Sequence, residues 1–260
     1  MKLNIYQIDT FTHNVFEGNP AAVIILEYWL DDKVMQKIAL ENNLSETAFC
    51  VKESEKYHIR WFTPIAEVDM CGHATLATAF VLFEIKKYAK EKIVFHSKSG
   101  ELIVQQCSDG KIEMDFPSQQ ITLCKPPKAL QEAFSQKIVA CYSSMDYVVV
   151  LENEEAVQKA QPDINNLLKL DNRGIIITAF SKEYDFVCRF FAPKIGVYED
   201  SVTGSAFTQL IPYYAQQLNK TNLHAKQISQ RGGEVFCSLQ GDRVMIAGYS
   251  REYMRGSITF

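Results

Sequence analysis

Residues 60–83 read RWFTPIAEVDMCGHATLATAFVLF. The run Ile59-Arg60-Trp61-Phe62 has the composition of a strand, and Thr63-Pro64 ends it, because proline cannot continue a sheet ladder. After a short acidic loop comes Cys71-Gly72-His73, and from there no charge appears until Glu84. That apolar run is too short to span a bilayer. It is hydrophobic on every side, so it predicts a helix buried inside a domain. The first turn of such a helix points free N–H groups and the positive end of its dipole into the interior, where an anion can bind. Gly72 lets a ligand approach the backbone.

Working outward, the pattern recurs. Arg189–Ala206 reads RFFAPKIGVYEDSVTGSA, and both copies fit R-[WF]-F-[TA]-P, a variable loop, then E-x4-G-x-A. Thr47-Ala48-Phe49 is echoed by Thr178-Ala179-Phe180, and Ser97-x-x-Gly100-Glu101 by Ser229-x-x-Gly232-Gly233-Glu234. Arg60 to Arg189 is an offset of 129, Gly72 to Gly204 one of 132, and Glu101 to Glu234 one of 133. A collinear series at nearly constant offset predicts an internal duplication. The chain then divides into an N-terminal half, 1–116, with a final strand at 250–260 as a candidate to rejoin it; a proline-rich linker, 117–127; and a C-terminal half, 128–249. Strand-rich halves, each built around one apolar helix, make an α+β protein. Two similar halves packed about a pseudo-twofold axis would bring Gly72 and Gly204 to one cleft, where small molecules bind.

The bulk numbers exclude several classes. A hydrophobic content of 47% with 22% charged residues suits a globular protein with a sizeable core. The net charge of −4 and the lack of any basic block argue against nucleic acid as a partner. The N-terminal residues MKLNIYQIDTFTH have neither signal-peptide nor transit-peptide character. The seven cysteines stand apart in the sequence, which suits reduced thiols and a cytoplasmic protein, not a disulfide framework or a zinc site. No glycine-rich nucleotide loop, HExxH or paired CxxC occurs, so no cofactor, metal or membrane partner is expected.

Where the copies differ, chemistry is expected. Glu46 precedes Thr47-Ala48-Phe49, whereas the second copy has Ile177 before Thr178-Ala179-Phe180. A carboxyl among apolar residues suits proton transfer. His73 follows Gly72, and its counterpart is Ser205. A histidine at a helix N-terminus is expected to be neutral, because the dipole disfavours the cation. Cys71 has no partner fixed by spacing, which makes a thiol nucleophile the weaker idea. Pro212 is expected to kink or interrupt the second helix.

Together GNPAAV (18–23), NLSETAF (43–49), RWFTP (60–64), EVDMCGHAT (67–75), RFFAP (189–193), EDSVTGSA (199–206) and RGG (231–233) resemble the PhzF family of phenazine-biosynthesis-type isomerases. That family has the diaminopimelate epimerase-like fold, two barrel-like halves each wrapped around a central helix. The resemblance spans nearly the whole chain. It implies Glu46 as the acid/base with His73 and Asp200 assisting. Ser45 and Ser205 would make polar contacts to substrate, and Gly72 and Gly204 would supply backbone donors. It further implies a cofactor-independent isomerase acting on a small carboxylate-bearing metabolite, and a homodimer. Diaminopimelate epimerases place a cysteine pair at the two helix starts, where this chain has His73 and Ser205, so two-thiol chemistry is not expected. Ser201 stands where the family commonly has proline, and Phe207 where a histidine often follows GSA; the resemblance implies that both border the cavity. The alternatives are an amino-acid-type racemase or epimerase using Glu46 with Asp200, and a non-catalytic metabolite-binding protein on the same fold.

Overall fold

The computed structural model describes residues 1–260. In chain order the elements are β1 (Lys2–Thr10), β2 (Asn19–Leu26), α1 (Asp32–Asn42), β3 (Glu46–Glu53), β4 (Lys56–Phe62), β5 (Glu67–Val68), α2 (Gly72–Phe80), β6 (Lys92–Ser97), β7 (Gly100–Gln106) and β8 (Ile112–Pro117). There follow β9 (Thr122–Leu123), α3 (Lys128–Ala133), β10 (Ile138–Ser143), β11 (Tyr147–Leu151), α4 (Glu154–Lys159), α5 (Ile164–Leu167), β12 (Ile175–Phe180), β13 (Phe186–Ala192), β14 (Val197–Asp200) and α6 (Gly204–Leu218). The last four strands are β15 (Asn222–Gln227), β16 (Gly233–Gln240), β17 (Arg243–Gly248) and β18 (Ser250–Thr259). One compact unit comprises Met1–Phe116 with Ile246–Phe260, and the other Pro117–Met245. No helix is long and apolar enough to cross a membrane.

In the first unit, β1 lies between β18 and β2 and is antiparallel to both. Then β2 and β3 run parallel, β3 and β4 antiparallel, β4 and β6 parallel, and β6 and β7 antiparallel. The sheet is covered on both faces. On one lies α2, whose residues Gly72–Ala79 are all buried against β1, β2 and β3. A helix apolar all round has no face to show to water, which is why this segment sits inside; Leu76, fully buried, contributes about 2 kcal/mol. On the other face Met35, Ile38 and Ala39 of α1 pack with Ile24, Phe49 and Phe62. The α1 start is fixed by Asp31, which accepts from the Lys33 N–H, and its end by Asn43 in the left-handed conformation.

The second unit has the same order of ladders. β10 and β11 are antiparallel, β11 and β12 parallel, β12 and β13 antiparallel, β13 and β15 parallel, and β15 and β16 antiparallel. One face packs on α3, α4 and α5 through Leu130, Val157, Leu167, Ile177 and Phe191. The other packs on α6, where Tyr214 stacks on Phe186 at 4.1 Å and shares a 2.9 Å hydrogen bond with Thr178. Residues 117–127 include β9, which pairs with β10.

Two expectations change. Helix α6 runs unbroken through Pro212. Proline lacks the N–H that would bond the Thr208 carbonyl, and that carbonyl instead accepts from the Gln119 N–H at 3.0 Å, so no acceptor is left bare. The equivalence of Thr47-Ala48-Phe49 with Thr178-Ala179-Phe180 is also shifted. Across β3–β4 Phe49 faces Arg60, and across β12–β13 Ile177 faces Arg189. If the two arginines correspond, Phe49 matches Ile177 and Glu46 matches Gly174. An odd register slip would turn every side chain to the other face, and both Phe49 and Ile177 lie in the core away from the long helix. The repeated tripeptide is therefore not the structural correspondence.

Candidate active site

Three segments of the first unit meet at the start of α2. Strand β2 opens with Asn19 and β3 with Glu46, and the parallel register sets Glu46 beside Ala21. The loop before α2 supplies Cys71 at the N-cap, and His73 is the second helical residue. His73 Nε2 lies 3.1 Å from Glu46 Oε2, with side-chain exposures of 6% and 17%. Both atoms are buried and neither has a hydrogen-bond partner, so the contact is one of charge. On the far side of the ring, His73 Nδ1 is 3.3 Å from Asn19 Nδ2 and 3.5 Å from Cys71 Sγ.

The charge state follows from this packing. Burial works against the imidazolium, but Cys71 and Glu46 both favour it, and His73 titrates well above the ordinary histidine range. Burial, and then the Glu46 charge, push Cys71 up to about 11, so near neutral pH it is an uncharged thiol. Cys71 and Glu46, both lying against the ring, offset the cost of burying the imidazolium. The expectation of a neutral His73 fails because a carboxylate in contact outweighs the end of a helix dipole, whose influence is typically 0.3–1 kcal/mol. A carboxylate oxygen, the Cys71 sulfur and a His73 nitrogen lie within 4.8 Å of one another, a donor set that a zinc ion accepts. Cys71 and His73 would each have to give up a firmly held proton first.

The other anticipated residues divide by unit. Gly72 is the first, buried residue of α2, and Ser45 is exposed just before Glu46. Gly204 and Ser205 open α6 in the second unit. Asp200 ends β14, and its Oδ2 accepts from the Thr203 hydroxyl at 2.5 Å. Gln227 ties this turn together by donating to the Asp200 carbonyl and accepting from the Thr203 N–H. Phe207 is fully buried, 6.1 Å from Phe186, and is a core residue of the second unit. The glutamates of the repeated E-x4-G pattern are structural. Glu67 receives both forks of Arg60 at 2.8 and 2.9 Å and is held down to about 2 by that guanidinium. Glu199 receives Arg189 in the same way, at 2.7 and 3.0 Å.

Sequence reading missed Asp146 and Arg173. Fully buried Asp146 accepts from Arg173 Nε at 2.9 Å, from Arg173 Nη2 at 2.6 Å and from Gln209 Nε2 at 2.7 Å. Arg173 also donates to Ser205 Oγ at 3.0 Å. Nothing in their local sequence marks them; the Tyr147 N–H bonds the Gly174 carbonyl at the start of the β11–β12 ladder, which brings Asp146 beside Arg173.

Mixed sheets packed on an internal helix, with an acid and a histidine at one helix start, define a protein of the isomerase and epimerase fold class. A hydroxyproline epimerase from Agrobacterium vitis, solved with trans-4-hydroxy-L-proline, shares this fold at a TM-score of 0.64 and 9% identity, over 99% of this chain and 92% of that one. The profile of the phenazine biosynthesis-like protein family (PhzC-PhzF) matches residues 8–256, and the chain belongs to that family. An uncharacterized isomerase of Pseudomonas aeruginosa is 50% identical over 251 residues, 96% of each chain. The crystal structure of a PhzF family protein from Enterococcus faecalis superposes with a TM-score of 0.98 at 45% identity, over 100% of both chains.

Proposed function

We propose that this protein is a PhzF-type isomerase that moves a proton on a small carboxylate-bearing metabolite, with Glu46 as the acid/base. The observation that carries this reading is the buried Glu46–His73 contact of 3.1 Å at the start of α2. Glu46 as carboxylate takes a proton from a carbon next to the substrate's carbonyl or carboxylate. The resulting enolate-like charge is met by the N–H groups at the start of α2, with Gly72 leaving room for approach. His73, as imidazolium, orients the carboxylate and favours its charged form. Glu46 then returns the proton at another carbon, and a single carboxylate suits a same-face shift. Asp200, Ser45, Gly204 and Ser205 stand as assisting groups on the resemblance.

The same reading makes the chain an internal duplication in which one copy carries the proton-transfer pair. Its support is the shared order of parallel and antiparallel ladders and the two matching Arg–Glu clamps. The test is turnover of a panel of small carboxylates in deuterated water, with deuterium incorporation followed by mass spectrometry. Wild type should label and convert at least one compound that Glu46→Gln leaves untouched. Equal turnover by both proteins would end the acid/base role of Glu46.

A further inference from the structure

The seven cysteines are free thiols, and although the sequence spaces them apart, the second unit brings two together. Strand β9 pairs with β10 so that Leu123 faces Tyr142, which sets Cys124 opposite Cys141. The Cys124 N–H donates to the Cys141 carbonyl at 2.9 Å, and the two sulfurs stand 3.6 Å apart. Residues facing each other on antiparallel strands have Cα atoms about 4.5–5.5 Å apart, within the span that a disulfide bridges. Side-chain rotation is the movement needed to join them. Cys141 is buried, whereas Cys124 is half-buried and borders an open hollow of about 440 Å³ with Leu123, Lys125, Pro126 and Val139.

We propose that Cys124 and Cys141 form a dithiol site that small disulfides of the glutathione class convert to an intrachain disulfide. Cys124, as thiolate, attacks one sulfur of the small disulfide, forming a mixed disulfide and expelling one small thiolate, which takes up a proton. Cys141 then loses its proton to solvent and attacks the Cys124 sulfur, expelling the second small thiolate, which is protonated in turn. The two protein thiols are oxidised by two electrons, and the small disulfide is reduced to two thiols. Burial, reinforced by the Cys124 hydrogen bond, pushes Cys141 up to about 12. This makes Cys124 the entry thiol and ring closure the slower step. The bond staples the segment after β8 to β10 and leaves the Glu46 site untouched.

The test is incubation of the full chain with oxidised glutathione, alkylation, and tryptic mapping without reduction. The expected product links peptide 112–128, which holds Cys124, to peptide 138–159, which holds Cys141. Dithiothreitol should release it, and Cys124→Ser should lack it. The oxidised protein should unfold at a higher temperature than the reduced one, because the cross-link restricts the unfolded chain, and Cys124→Ser should show no such gain. Three results would overturn the proposal: glutathione retained on Cys124 without linkage, linkage through a different cysteine, or no linkage under conditions that fully oxidise free dithiothreitol.

Discussion

The starts of α2 and α6 are built alike and equipped differently. Each follows a strand and a loop tied back by an Arg–Glu clamp, and each opens on a buried glycine. At α2 the Glu46 carboxyl faces the His73 ring, whose other nitrogen lies against Asn19 and Cys71. At α6 the Asp146 carboxylate takes three charged or amide donors, and Ser205 occupies the place of the histidine. Three donors fix the Asp146 carboxylate in place, whereas the Glu46 carboxyl lies against a histidine with which it can share a proton. On the proposed function the α2 pair carries the proton transfer, while Asp146 braces the start of α6.

Glu46→Gln should break the comparison most severely. It removes the proposed proton carrier from the α2 start, and activity should fall about 10²–10⁴-fold while ligand binding persists. Turnover and calorimetric titration on the same substrate check this. Next comes Asp146→Ala, which leaves Arg173 without its buried partner and Gln209 without an acceptor. Arg173 is 31% exposed, so the loss should be about 3 kcal/mol, the low end for breaking a buried pair. Chemical denaturation measures it, and a loss under about 1 kcal/mol would show that the α6 cluster is not structural.

Gly174→Ala tests the register that matches Gly174 with Glu46. An added Cβ would lie 2.5 Å from Phe190 Cζ and 3.1 Å from Asp146 Oδ1. Overpacking of this kind should cost about 1–3 kcal/mol, seen as a lower midpoint of denaturation. The smallest effect concerns pH. His73 has its folded-state pKa raised above the unfolded value of about 6.5. Its contribution to stability is therefore complete below pH about 6.5 and fades as pH rises through the raised folded value. Cys71 and Glu46 both raise it, and Glu46→Gln removes the second of these, so the stability gap between wild type and variant should narrow across this window. It should also move the His73 imidazole resonances, followed by NMR, to a lower titration midpoint. An unchanged midpoint would show that Glu46 does not hold the His73 charge.

Much was legible in the chain alone, because it is written in local pattern. An uncharged run from Cys71 to Phe83 can only be a buried helix, and a motif repeated at near-constant offset implies a second one at Gly204. Glu46 and His73 stood out because their residue types are out of keeping with apolar surroundings. Other facts depend on atoms distant in sequence. His73 titrates above the ordinary histidine range because Cys71 and Glu46, the latter 27 residues earlier, lie against it, as its own helix position would not predict. Pro212 sits inside α6 because Gln119 satisfies the carbonyl it abandons. Asp146 and Arg173 are ordinary residues until the β11–β12 ladder buries one against the other. Cys124 and Cys141 become a pair only through β9–β10. Local sequence specifies which segments seek the interior, through periodicity and charge. Which polar groups meet there is set by strand register, which tertiary packing alone decides.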